Sequence, residues 1–206
     1  MITRTLKPGD EVIAGDDLYG GTNRLLTYLK VHAGVVVYHV DTTDTKAVLP
    51  NLSEKTAMVL LESPTNPLLK IADLAEIILE VKARSPNAVV VVDNTMMSPY
   101  LQRPLEHGAD LVYDSGTKYL SGHHDLMAGV ITTNRDDLAK VSHYANSTQS
   151  AQCLTLYTCK ANGLHHQRSR QRIDPIRFLP SPSRDQNISN PYGPATGVCR
   201  SCGHLP

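Results

Sequence analysis

The chain has 206 residues, 41% hydrophobic and 19% charged, a composition that excludes a wholly disordered polymer and leaves length enough to bury a core. Its 20 basic and 20 acidic residues cancel, so no bulk charge favours nucleic acid. No apolar run approaches the roughly 18–20 residues that cross a bilayer, and Met1 to Gly9 lack the apolar stretch of a secretory leader, so a cytoplasmic protein without membrane contact is expected.

Glu11-Val-Ile-Ala14 predicts a first strand, followed by the turn-prone Gly15, Asp16 and Asp17. Gly20-Gly21-Thr22 then opens a helix with Leu25, Leu26 and Leu29 at helical spacing. Val35 to Val40 is β-branched and bounded by Gly34 and Asp41, a second strand. Ala57 to Glu62 is a third, ended by Ser63-Pro-Thr-Asn-Pro67, whose two prolines forbid its continuation. A helix follows over Ile71 to Ala83, with Leu74, Ile77, Ile78 and Val81 on one stripe. Ala88 to Asp93 is apolar without alternation, as in a strand buried on both faces. Ala109 to Tyr113 and Ala128 to Thr132 are shorter strands, and Arg135 to Tyr144 reads as a helix.

This alternation predicts an α/β layered domain with a largely parallel sheet, whose ligands sit beyond the carboxyl ends of the strands. The groups to watch are therefore Glu62 to Asn66, Asp93-Asn94 and Asp114 to Lys118. Lys118, in Ser115-Gly-Thr-Lys118, combines hydroxyls, a glycine and an amine just after a strand. That suits a phosphate-binding turn or simply an exposed one, and the spacing of a Walker loop is missing. Asp93 can pair with a protonated ring nitrogen or a metal, or it can cap a turn. Tyr19 offers an aromatic face and a hydroxyl, and Asn66 an amide; turn chemistry accounts equally for both.

Composition changes near residue 150. Residues 1–150 hold 13 Lys/Arg and 18 Asp/Glu, a net of −5, whereas residues 151–206 hold seven and two, a net of +5. All four cysteines lie in the second part, which has no sustained period and reads as irregular or disordered. The cysteines Cys153, Cys159, Cys199 and Cys202, with His165, His166 and His204, have loose spacing for zinc, and adjacent His123 and His124 do not share a face. No metal is expected.

Taken in order, Asp17-Leu-Tyr-Gly-Gly-Thr22, Glu62-Ser-Pro-Thr-Asn-Pro67, Val92-Asp-Asn-Thr95, Ser115-Gly-Thr-Lys-Tyr-Leu-Ser-Gly-His-His-Asp125 and Met127-Ala-Gly129 resemble the Cys/Met-metabolism family of pyridoxal-phosphate enzymes. That family includes the cystathionine β-lyases, γ-lyases and γ-synthases, and the pattern around Lys118 is most similar to the fungal β-lyase branch. The resemblance covers residues 5–148 and implies part of the large domain of the aspartate-aminotransferase-like fold over 1–148, with 149–206 an unmatched tail.

The resemblance also implies roles. Lys118 would form the Schiff base with pyridoxal 5'-phosphate and move the substrate α-proton, and Asp93 would pair with the pyridinium nitrogen. Tyr19 would stack on the ring, Asn66 would approach its 3-oxygen, and Ser115 and Thr117 would hold the phosphate. The implied reaction is β-elimination from cystathionine, with γ-lyase or γ-synthase chemistry as the alternative, in a homo-tetramer. The family's Tyr-x-Arg element before the position of Leu6 and its carboxylate-binding arginine beyond Ser150 have no match, so a non-catalytic remnant is the second reading. The composition change at 150 is expected of translation out of frame or through an unspliced intron.

Overall fold

The computed structural model describes residues 5–123 and 127–139, and the backbone of 155–160. The strands are β1 (Glu11–Gly15), β2 (Val36–Val40), β3 (Thr56–Glu62), β4 (Val89–Asp93), β5 (Leu111–Ser115), β6 (Ala128–Thr133) and β7 (Thr155–Lys160). Helix α1 is Gly20–His32, α2 the short Thr45–Val48, α3 Leu74–Arg84 and α4 the short Ser98–Leu101. Residues 136–139 are helical, the described part of the helix expected over Arg135 to Tyr144.

The strands lie in the order β2-β1-β3-β4-β5-β6-β7. The first five run parallel, as the alternating pattern predicts. β6 runs antiparallel to β5, because the chain returns through a turn at Gly116–Leu120 and not through a crossover helix. β7 pairs parallel with β6 inside the segment read as irregular. Its Thr155-Leu-Tyr-Thr158 is β-branched and aromatic, a local preference that the surrounding composition obscures.

Burial on both faces explains the unalternating strands. Val90 and Val92 pack with Ile13, Val59 and Leu61 beneath the α3 stripe of Leu74, Ile77, Ile78 and Val81. Val91, between them, points the other way and packs with Val12, Ala14, Met58 and Leu60 under Leu26 and Leu29 of α1. Asp73 caps α3 by accepting the Glu76 amide at 3.0 Å. At the amino-terminal edge of β4 and β5, Asp110 accepts from the Val90 amide at 2.7 Å, bonds the Lys82 ammonium and meets Arg135 at 3.4 Å.

The chain leaves β1 for β2 on one side, then crosses back to β3 and continues through β4 and β5 on the other. The sheet therefore changes direction between β1 and β3, and the crevice beyond their carboxyl ends is where such a fold binds ligands.

Candidate functional site

Three strand ends fall in one row. Glu62 is opposite Asp93, and Asp93 is opposite Tyr113. Alternation sends all three side chains to the face covered by α1, so they collect beneath its amino terminus. Tyr19 immediately precedes α1, and its amide donates to Glu62 Oε2 at 3.0 Å. The Tyr113 hydroxyl lies 3.4 Å from Thr22 Oγ1 in the first turn of the same helix. A Cβ on Gly21 would come within 2.6 Å of the Tyr19 ring, so a side chain there would displace the ring from this position.

Asp93 is buried, and its Oδ1 accepts the Thr95 amide at 2.9 Å. Thr95 Oγ1 in turn accepts the Ser115 amide at 2.9 Å, which ties the end of β4 to the turn carrying Lys118. That turn is wide, with the Ser121 amide reaching back to the Gly116 carbonyl at 3.0 Å, and Lys118 leaves helical geometry at φ −92°, ψ −122°. Gly116 lets it approach β6, since a Cβ there would sit 2.9 Å from that of Ala128. Thr117 Oγ1 accepts the Ala128 amide at 3.1 Å. Lys118 itself is exposed.

The loops after β1 and β3 are joined as well. Asp17 Oδ2 accepts from the Thr65 hydroxyl and from the Leu68 amide at 3.1 Å, and Lys70 pairs with Asp16 at 2.7 Å. This holds the segment bearing Asn66, whose side chain is exposed, against the segment bearing Tyr19, 53% exposed. The structure thus brings Tyr19, Asn66, Asp93, Ser115, Thr117 and Lys118 to the carboxyl ends of four adjacent strands, β1, β3, β4 and β5.

A profile of the family described as Cys/Met metabolism PLP-dependent enzyme matches residues 1–164. The chain belongs to that family, whose members use pyridoxal phosphate. It is 65% identical over 138 residues to the cystathionine beta-lyase of Neurospora crassa, covering 67% of this chain and 30% of that one. It is 42% identical over 196 residues to the cystathionine beta-lyase of Schizosaccharomyces pombe, covering 91% of this chain and 50% of that one. Among solved structures it is similar to a cystathionine gamma-lyase from Lactobacillus plantarum complexed with L-serine, with TM-score 0.63 and 38% identity, covering 68% of this chain and 36% of that one. The chain therefore spans between about a third and a half of these relatives, and its fold is part of the large domain of the pyridoxal-phosphate family. The family match runs sixteen residues beyond 148, where the motif resemblance ends.

The charges of the site suit the family's cofactor. Burial pushes the Glu62 carboxyl up to about 7, with the Asp93 charge adding to it, and burial and Asp93 push Asp114 to about 6. Burial also raises Asp93, and burial with the Asp93 charge raises the Tyr113 hydroxyl well above its ordinary value. Among the described residues, none of these carboxylates forms an ion pair with a cation. One oxygen of Asp114 is buried without a hydrogen-bond partner. A buried acid row without a cation, beside hydroxyls and an exposed amine, fits a ligand that brings a protonated ring nitrogen, a phosphate and an aldehyde.

Thr22, Thr65 and Thr95 lie inside the quoted motifs but have no role assigned there, and Tyr113, the last residue of a predicted strand, lies outside them. Only their strand-end or helix-start positions could have indicated them. The cysteine and histidine groups weighed for zinc lie outside the described residues, apart from the backbone of Cys159 and the single His123. Among the described residues no cluster of three or more metal-ligating side chains forms, and no helix is long and apolar enough to cross a membrane.

The raised carboxyls have a consequence for folding. The native state holds protons on Glu62 and Asp114 up to about 7 and 6, where an unfolded chain has released them. The contribution of these two groups to stability is therefore fully present below about pH 4 and is lost as pH rises to about 7, by roughly 2–4 kcal/mol. Urea unfolding of the cofactor-free chain at pH 5, 6 and 7.5 checks this, and a midpoint that rises with pH over that range would contradict it.

Proposed function

We propose that the chain carries the cofactor-binding part of a carbon–sulfur lyase that cleaves cystathionine by β-elimination, giving homocysteine, pyruvate and ammonia. The observation that supports this most is the row Glu62, Asp93, Tyr113, flanked by Tyr19 on one side and the Ser115–Lys118 turn on the other. Bound pyridoxal phosphate supplies a ring that accepts electrons from the substrate α-carbon. Asp93 keeps a proton on the ring nitrogen, and its burial strengthens that pairing. Tyr19 presents its exposed face to the ring, and Asn66 orients the ring through its 3-oxygen. The hydroxyls of Ser115 and Thr117 hold the phosphate. The Lys118 amine would hold the cofactor through its aldehyde and would act as the base that removes the substrate α-proton. A homo-tetramer in the cytoplasm is part of the same proposal.

Likeness to the Lactobacillus gamma-lyase favours γ-elimination as the second reading, and the keto acid separates the two. When the full chain is incubated with pyridoxal phosphate and cystathionine, pyruvate and homocysteine are expected. Cysteine and 2-oxobutanoate would assign the γ-lyase, and no keto acid from a chain that retains cofactor would assign a binding remnant.

A further inference from the structure

Glu62 is a buried acid that the chemistry above does not use. Only 3% of it is exposed, and it ends β3, beside the fully buried Leu60 and Leu61. Its Oε2 accepts the Tyr19 amide at 3.0 Å, and the Asn66 backbone amide also faces the carboxylate and favours its charged form. These amides belong to different loops, one after β1 and one after β3. The Asp17–Thr65 and Lys70–Asp16 contacts join the loops to each other, whereas Glu62 joins both to the sheet, in the row that holds Asp93.

We propose that Glu62 is a positioning residue for the cofactor site, setting the ring of Tyr19 and the side chain of Asn66 from one buried carboxylate at the end of β3. The inference rests on the proposed roles of Tyr19 and Asn66. An ionised carboxylate accepts at every lone pair, so it can take both amides without burying an unused donor, which a glutamine cannot do. The arrangement places a negative charge near Asp93 from β4 and Asp17 from the β1 loop, with the Tyr113 hydroxyl of β5 also in its field. Among the described residues no cation pairs with it. A ligand with a cationic ring nitrogen lowers that repulsion, so cofactor binding and ionisation of Glu62 favour one another.

The test uses the full chain as wild type, Glu62→Gln, Glu62→Asp and Lys118→Ala. Each is titrated with pyridoxal phosphate from pH 6 to 8.5 and followed by the visible absorption band and its circular dichroism. Glu62→Gln is expected to bind roughly tenfold more weakly, with weakened dichroism and a flatter pH dependence than wild type; Glu62→Asp should fall between. Unchanged affinity, dichroism and pH profile in Glu62→Gln, beside a Lys118-dependent band in wild type, would overturn the role of Glu62 alone. No Lys118-dependent band in folded wild type would overturn both this role and the cofactor reading. Should Glu62→Gln fail to fold, amide exchange in wild type decides. Protection factors of the Tyr19 and Asn66 amides should rise together between pH 6 and 8, and independent or absent protection would overturn the proposal.

Discussion

Lys118→Ala is expected to abolish retention of pyridoxal phosphate through desalting and to lower turnover of cystathionine by about three orders of magnitude or more. The size of the effect follows from the two duties proposed for one amine, covalent attachment of the cofactor and transfer of the α-proton. Stability should change little, because Lys118 is exposed and stands in a turn held by backbone bonds from Ser121 and Gly122. Visible spectra after gel filtration, with urea unfolding as control, check both halves. A chain that keeps its band and its activity without Lys118 would remove this residue from the chemistry.

Asp93→Asn is expected to act in opposite directions on folding and on turnover. Asparagine keeps the volume and can still accept the Thr95 amide, but it removes a buried charge that faces Glu62 and Asp114. The cofactor-free chain should gain on the order of 1 kcal/mol at pH 8, above the values to which burial raises Glu62 and Asp114. Turnover should fall by about 10²–10³, because a neutral amide does not hold a proton on the ring nitrogen, and electrostatic contacts of this kind contribute about that much. Urea unfolding and initial rates on the same preparation measure the pair. Loss of stability with undiminished turnover would assign Asp93 to the fold and not to the cofactor.

Much of this arrangement was legible in the residues. The unalternating Val89–Val92 reads as a strand buried on both faces, and Val91 indeed packs opposite to its neighbours. The stripe Leu74, Ile77, Ile78 and Val81 reads as a helix face and covers the sheet. Polar residues that follow apolar runs pointed to Tyr19, Asn66, Asp93 and Lys118, because a parallel sheet leaves its binding crevice at those ends.

Other parts were not legible for a physical reason. The bond between Tyr19 and Glu62 joins residues 43 apart, and the contact between Thr22 and Tyr113 joins residues 91 apart. Local periodicity shows which face a residue occupies but not which distant residue shares that face. Strand β7 lies in a stretch whose overall composition resembles a loop, and the return of β6 antiparallel depends on the length of the turn before it.

What the sequence by itself determined is therefore the kinds of element, their order, the motifs of the family and the chemical types available at each strand end. Period, turn residues and the functional groups themselves are local properties, and they survive without coordinates. Only the tertiary structure decided that β1 lies between β2 and β3, so that a helix start from one side of the crevice meets acids from the other. It also decided that Glu62, Asp93 and Tyr113 share one row beneath Tyr19 and Thr22. Register and burial arise from the pairing of distant segments, and burial is what raises these carboxyls.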